Sequence, residues 1–551
     1  MPGVRAALSA GRRQAARQAL AHALRTDPRA AWAHVALANI AWADDRESAI
    51  LHLRRALELD PQHVDATVAL AQGLSHRALL EGPHLQEAVE LILGVLPRLP
   101  PSARTLAAGI LWRGAQYEQA EALGGLSELG RYAAEHDQPA NLLLQMAKVQ
   151  TDEDRLEVLH QHRLWAGSLE RRAADRPIVR PRSRAPGSKH RLGFLSPDLR
   201  HHVVAFFAQP LFQHLDERFE LFCYAPFPRA PDYVQERIAS RVTAFRQLPP
   251  DDRAAAEVVA ADELDILLDL SGPLGSRPGI LAYKPAPRQA SWLGYPHSLG
   301  LAAMDYFVAD PYLVPPRKDL LVEEPLLMPE SWICMTPAAF HPEPRVEQTT
   351  PVERTGHVTF GTANDAYKYN PRLLRTWARV LAAVPGSRFM IVRPEAGAPG
   401  FRDSVARHFA AEGVAVDRLD FHAVSGRAKV RELYGQMDIA LDTFPLTGGT
   451  TTCEALWMGV PTVSLVGEAV FERLSGSILS NAGLPELAAA TVEDYVRIAV
   501  ELAGSPARIA ELRNTARERI LARPLGQPER FARDFYDLMA SAIAARPEKD
   551  R

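Results

Sequence analysis

DTFPLTGGTTTCEALW, residues 442–457, closes one apolar strand and opens one helix across a Gly-Gly turn. The strand is Ile439-Ala440-Leu441, and three consecutive threonines, Thr450, Thr451 and Thr452, start the helix. The first N–H groups of an α-helix have no acceptor within the helix, and the helix dipole adds partial positive charge at that end. Gly448 and Gly449 let the backbone come close to a ligand, and the threonine hydroxyls add donors. Such a design suits a phosphate or diphosphate. The same residues also fit a plain helix cap, because Thr451-x-x-Glu454 is a capping-box pattern with Glu454 in the first turn.

On both sides of this stretch short apolar strands alternate with helices. Upstream lie Arg191–Ser196, Phe219–Tyr224 and Asp265–Leu270, then His357–Gly361 and Arg388–Arg393; downstream lies Pro461–Leu465. This alternation predicts parallel sheets with helices on both faces, and ligands of such sheets sit beyond the C-terminal strand ends. A Pro-rich stretch, Pro337 to Thr355, separates the two series, which gives two Rossmann-like domains, 190–345 and 346–551. A shared cleft between them is expected. Ahead of them a Pro/Arg/Ser-rich linker covers 177–189, and residues 1–176 are rich in Ala, Leu and Arg and read as successive helices. There Ala23-Leu-Arg-Thr-Asp27-Pro28 recurs as Ala56-Leu-Glu-Leu-Asp60-Pro61, an offset of 33, with a looser copy ending at Pro97. That period, the small Ala positions and the terminal Pro resemble tetratricopeptide helix pairs, which stack into a solenoid whose concave face binds protein. An irregular Ala-rich bundle is the plainer alternative.

The 551 residues allow two to four domains. A net charge of −3 argues against nucleic-acid binding as the main task. The three cysteines, Cys223, Cys334 and Cys453, lie far apart without metal-ligand spacing, as expected of reduced thiols in a cytoplasmic protein. The N-terminal stretch lacks a signal-peptide core, and no apolar run is long enough to span a membrane.

Three further segments end strands or open helices. Ser196-Pro-Asp198-Leu-Arg-His201-His202 offers two histidines for base or acceptor contacts, or else a helix start capped by Asp198 with surface histidines. Pro285-Ala-Pro-Arg-Gln289-Ala-Ser-Trp292-Leu293-Gly294-Tyr295-Pro296-His297 reads as a rigid loop lining a pocket, or only as a packed turn. In Phe360-Gly-Thr-Ala-Asn364-Asp-Ala-Tyr367-Lys368-Tyr-Asn-Pro371, Lys368 stands just before a helix beginning at Pro371, where a lysine can neutralise a phosphate. An ordinary surface lysine is the alternative. A cation, a helix start and hydroxyls for a diphosphate, with the Glu454 carboxylate for ribose, fit a nucleotide-sugar; neither a GxGxxG unit nor a Walker A motif occurs.

The chain resembles the O-linked N-acetylglucosamine transferases, in their bacterial branch. The likeness covers helical repeats and a two-domain catalytic region, and rests on Gly193-Phe-Leu-Ser-x-Asp198, Pro285-Ala-Pro-x-Gln289-x-x-Trp292-Leu-Gly-Tyr-Pro296, Tyr367-Lys368, and Asp442-Thr-x-Pro-x-x-Gly-Gly-Thr450-Thr-Thr-Cys-Glu-Ala-Leu-Trp-Met-Gly-Val-Pro461. It implies inverting transfer of N-acetylglucosamine from UDP-N-acetylglucosamine to Ser or Thr hydroxyls of proteins, without a metal or other cofactor. By the resemblance Lys368 contacts the diphosphate, and Thr450 and Thr451 bind phosphate with Gly448, Gly449 and Thr452 around them. Glu454 takes the ribose, and backbone at Ala423 and Val424 with Arg427 holds the uracil. Gln289, Leu293, Gly294, Tyr295, Pro296, Asn364 and Tyr367 complete the donor site. Of His201 and His202, alignment favours His202 beside the acceptor.

Departures from the animal pattern are visible. The animal enzymes have His where Gly449 and Val430 stand, Lys at Arg427 and Asp at Glu454, so uracil contacts are fewer here. His297 replaces a glycine, with crowding of the sugar pocket expected. The large insert between the animal catalytic domains is absent. The repeats would present polypeptide acceptors or docking partners. Two alternatives stand beside this: an N-glucosyltransferase acting on Asn with UDP-glucose, whose relatives lack tetratricopeptide spacing, and a weakly catalytic UDP-binding scaffold.

Overall fold

The computed structural model describes residues 13–42, 45–76, 80–135, 142–181, 187–227, 229–336 and 345–545. Linker residues 182–186, residues 337–344 of the Pro-rich stretch and the first 12 residues lie outside them. The chain forms two compact units. One holds Met1–Gly125 with Arg393–Arg407 and Phe421–Ser425; the other holds Leu126–Val392, His408–Asp420 and Gly426–Arg551.

In the first unit the helices come in pairs: Ala31–Ala41 with Arg46–Leu59, then Val64–Leu74 with Gly82–Val95, then Arg104–Arg113 with Tyr117–Glu121. The repeated Asp-Pro falls between pairs. Asp27 and Asp60 turn the chain there by accepting hydrogen bonds from the amides of Arg29 and Gln62, at 3.0 and 3.1 Å. Buried alanines such as Ala33, Ala49, Ala66, Ala71 and Ala88 let the helices approach closely. The pairing matches repeats rather than an irregular bundle.

The second unit takes in the end of the helical region. Helix α1 (Asp152–Asp175) starts at a capping box between Thr151 and Asp154. Its Val158, Trp165 and Leu169 join one core with Leu195, Tyr224 and Leu267 of the first sheet and with Leu446, Ala469 and Phe471 from beyond it. The compact division therefore falls after Gly125, inside the span 1–176 expected as one helical domain.

Two parallel sheets carry the rest. The first is ordered β3-β2-β1-β4-β5-β6-β7, with β1 His190–Leu195, β2 Phe219–Ala225, β3 Ala244–Gln247, β4 Ile266–Asp269, β5 Arg288–Ser291, β6 Tyr306–Ala309 and β7 Glu324–Leu327. The second is ordered β10-β9-β8-β11-β12-β13, with β8 Thr359–Thr362, β9 Arg388–Val392, β10 Leu419–His422, β11 Ile439–Leu441, β12 Thr462–Leu465 and β13 Ala488–Ala489. β1, β4, β8 and β11 are nearly or wholly buried, which is why they read as continuous apolar runs. Strand order reverses between β1 and β4 and between β8 and β11, the switch points where a doubly wound sheet opens a crevice. This is a helix-rich N-terminal region followed by two lobes in a GT-B-like arrangement.

The two lobes are bonded to each other. Buried Asp310 accepts from Ser477 Oγ at 2.7 Å and Asn481 Nδ2 at 2.9 Å, and Arg473 Nε donates to the Tyr312 carbonyl at 3.0 Å. The C-terminal helix Pro528–Ala544 returns to the first lobe, where Phe535 packs on Trp292 and Tyr536 Oη donates to the Leu211 carbonyl at 2.7 Å.

Candidate functional site

At the switch point of the second lobe, the residues just beyond β8 and β11 meet. Asn364 Nδ2 donates to Asp442 Oδ1 at 2.9 Å, and the Asn364 side-chain oxygen accepts from Lys368 Nζ at 3.3 Å and from Thr451 Oγ1 at 2.8 Å. Lys368 Nζ also donates to the Thr447 carbonyl at 2.8 Å. The lysine sits in the short turn Ala366–Lys368, just ahead of a helix that begins at Pro371 with Asn370 as its cap. Its ammonium is thereby held next to the start of the Thr450–Trp457 helix, half-buried.

Asp442 organises this end of the sheet. Its carboxylate accepts from the Gly448 amide at 2.9 Å and from Ser464 Oγ at 2.7 Å. Burial raises its pKa, while hydrogen bonds from Ser475 and Ser464, the charge of Lys368 and the Gly448 amide pull it back. Gly448 is sterically required: a Cβ there would lie 2.4 Å from Thr452 Oγ1 and 2.8 Å from both Asp442 Oδ1 and Thr451 Oγ1. Gly449 is different, since a Cβ there meets nothing within 4 Å. The open space sits over the helix start, where a ligand would approach.

The capping-box expectation is overturned. Gly449 is the N-cap and no side chain caps the Thr450–Trp457 helix. Thr451 lies two residues past the N-cap position and instead bonds Asn364. Thr452 pairs with Ser475 at 2.7 Å. Glu454 falls past the first turn and is buried, held by Arg427, whose Nε and Nη2 both lie 2.8 Å from Glu454 Oε1. The first helical amides are thus left for a ligand. The Arg427 guanidinium also stands 5.7 Å from the ring centroid of Phe206 in the first lobe.

The first lobe presents a looser set of groups. Helix α2 (Val203–Gln213) follows β1, and its N-cap is His202, whose Nδ1 accepts from the Val204 amide at 3.3 Å and stands 3.7 Å from Asp198 Oδ1. The expected Asp198 cap is therefore displaced by His202. Asp198 instead accepts from Ser271 Oγ at 3.2 Å, and Ser271 bonds Ser196 at 2.7 Å across the switch point. His201 is exposed, its ring packed on Phe206 and Tyr233, which line a groove of about 230 Å³.

The loop after β5 is tightly fitted. Leu293 has φ +81°, an unusual conformation for a non-glycine residue, and marks stored strain in this loop. A Cβ on Gly294 would lie 2.1 Å from the Leu270 carbonyl oxygen, so only glycine fits. Pro296 is partly buried. Tyr295 is buried, with its hydroxyl 2.5 Å from His162 Nε2, and its hydroxyl pKa is raised by burial and by the nearby Tyr367 of the second lobe.

Residues 173–334 and 352–535 match the model of Glycosyl transferase family 41, more than half the chain. The chain belongs to this family. It is 33% identical over 376 residues to a protein of Hordeum vulgare named probable UDP-N-acetylglucosamine–peptide N-acetylglucosaminyltransferase SPINDLY, a match covering 66% of this chain and 38% of that protein. A similarly named SEC protein of Arabidopsis thaliana is 28% identical over 371 residues, covering 65% and 38%. The chain thus spans well under half the length of these relatives. Among solved structures, a point mutant of the Thermobaculum terrenum O-GlcNAc transferase is similar with TM-score 0.70 and 27% identity, covering 98% of this chain and 96% of that one.

Within this family-41 chain the expected site residues divide into those brought together and those not. Asn364, Lys368, Gly448, Gly449, Thr450, Thr451 and Thr452 converge, with Tyr367 nearby and Glu454 and Arg427 as a pair. Gln289 does not join them. Its side chain lies fully inside the sheet, with Nε2 donating to the carbonyls of Leu281 and Ala303 at 3.0 Å each, a packing role. Ala423 and Val424 follow β10 in the segment that groups with the repeats. His297 was expected to crowd the sugar pocket; its buried ring is instead stacked between His162 and Phe471. Sequence reasoning gave no role to Asp442, Thr447, Ser464, Ser475 or His162. Asp442 had a usable signal, an acidic residue closing a buried strand.

Proposed function

We propose that the protein is an inverting, metal-independent glycosyltransferase that moves N-acetylglucosamine from UDP-N-acetylglucosamine to Ser or Thr hydroxyls of proteins. One observation carries it: Lys368, Asn364 and Thr451 are bonded together at an uncapped helix start on the switch point of the second lobe. As the glycosidic bond to the donor breaks, negative charge grows on the UDP diphosphate. An ammonium and a row of amides at that place stabilise it, the task a divalent cation performs elsewhere. The names of the relatives support the sugar and the acceptor class.

The residue roles follow. Lys368 and the amides at Thr450 and Thr451 hold the diphosphate, and Glu454 with Arg427 holds the nucleoside. His202, at the mouth of the first lobe, faces the acceptor hydroxyl or orders the water that takes its proton. The repeats present polypeptide, and the reaction takes place in the cytoplasm. The test is mass spectrometry of a host lysate incubated with the protein and, in separate reactions, UDP-N-acetylglucosamine, UDP-glucose and a purine-nucleotide sugar. A HexNAc mass on Ser or Thr is expected from the first donor only. Transfer to Asn, or from another donor instead, overturns the proposal.

A further inference from the structure

Helix α1 carries none of the residues expected to touch a substrate, yet it bonds both lobes. On the second lobe, Arg155 Nε and Nη2 pair with Glu472 Oε2 and Oε1 at 2.6 and 2.7 Å, both side chains largely buried. Glu472 Oε2 also accepts from the amides of Glu468 and Ala469 at 3.0 and 2.8 Å, so the loop after β12 is wrapped around that carboxylate. The next carbonyl back, Phe471, accepts from both the amide and the hydroxyl of Thr447 at 3.0 Å each. The Thr447 carbonyl in turn accepts from Lys368 Nζ at 2.8 Å. Hydrogen bonds joined through the backbone of Phe471–Glu472 and of Thr447 therefore lead from Arg155 to the lysine ammonium.

On the first lobe the same helix supplies His162. Its Nδ1 lies 2.6 Å from the Val158 carbonyl, which can only accept, so Nδ1 carries the proton and Nε2 accepts from the Tyr295 hydroxyl. Burial keeps the ring neutral, lowering its pKa to about 4. The ring stacks on His297 at 4.6 Å, and His297 stacks on Phe471 at 5.5 Å. Helix, β5 loop and β12 loop thus share one three-ring stack. Phe471 belongs both to this stack and to the run leading to Lys368.

We infer that Arg155 is a positioning residue for Lys368, and that helix α1 is a part of the donor site's framework rather than a lead-in from the repeats. Losing the guanidinium would leave the Glu472 carboxylate buried without its partner and free the β12 loop to shift. Thr447 would move with it, and displacements of an ångström at such a site cost binding and rate. The inference rests on Lys368 being the diphosphate contact.

A double-mutant cycle on the full chain, read by calorimetric titration with UDP, tests it. Arg155→Met should weaken UDP binding about threefold or more when Lys368 is present, and cause no further loss in the Lys368→Ala background. Either a smaller effect with Lys368 present or the same loss in both backgrounds overturns the inference. If Lys368→Ala itself leaves UDP affinity unchanged, the donor-site proposal falls and this inference with it. If Lys368→Ala weakens binding and Arg155→Met does not, the inference alone falls. Should the single variant not fold, Arg155→Met with Glu472→Gln removes both buried charges and serves in the same cycle.

Discussion

The two lobes share a doubly wound topology and differ at their switch points. Between β8 and β11 the polar groups are already bonded to one another, with Asn364 bridging Asp442, Lys368 and Thr451. Between β1 and β4 the corresponding place holds a serine pair, Asp198 and a histidine whose side chain is 38% exposed. The difference follows from what each lobe is proposed to bind. A diphosphate always presents the same charge and shape, so a rigid cradle lowers the cost of organising it. The polypeptide acceptors proposed for the first lobe vary, and exposed groups beside an apolar groove would suit them.

This contrast is sharpest at Lys368. Lys368→Ala should lower turnover by about a hundredfold or more, the scale seen when one preorganised donor is removed from a site of developing charge. It should also weaken UDP binding, since the charge is present in the ground state. Steady-state rates and UDP titration check both. Wild-type turnover in this variant would break the comparison, because the second lobe would then be no more a charge cradle than the first.

A smaller and differently shaped effect is expected in the first lobe. His202→Ala should reduce turnover about tenfold to a hundredfold while leaving UDP affinity within about twofold of wild type, as for a group acting on the acceptor side. A loss of UDP affinity equal to the loss of turnover would place the histidine with the donor instead. The Ala variant also removes an N-cap, so a modest fall in melting temperature accompanies it.

How much of this was legible in the chain depends on range. The parallel sheets, the paired helices and the strand-to-helix turn at Gly448-Gly449 were readable because each is encoded locally, in apolar runs, in a repeat offset and in a strand–Gly–Gly–helix order. What was missed needs partners far apart. Asn364 and Asp442 are 78 residues apart, and His162 and Tyr295 are 133 apart. Motif matching assigned Gln289 to the ligand by its company, although its position inside β5 makes it a packing residue. The capping box failed for a simpler reason. Thr451 fitted the pattern in letters, but the helix begins at Thr450, two residues earlier than that cap requires, so its hydroxyl was free to serve Asn364.

Glu454 tests the boundary between the lobes, with the smallest expected effect. Its carboxylate accepts a hydrogen bond from Arg427 Nε and forms an ion pair with Nη2, and that guanidinium lies over Phe206 of the first lobe. Two roles remain physically distinct. If Glu454 binds the ribose itself, Glu454→Ala weakens UDP by about tenfold, roughly 1.5 kcal/mol, for one lost hydrogen bond to a charged group. Arg427→Met then adds a separate loss of its own. If Glu454 serves only to hold Arg427, the two single variants and the double variant all lose the same amount, because each abolishes one and the same contact. The proposed ribose contact requires the first pattern. Equal losses in all three titrations would move the nucleoside contact to Arg427 and make the carboxylate its anchor.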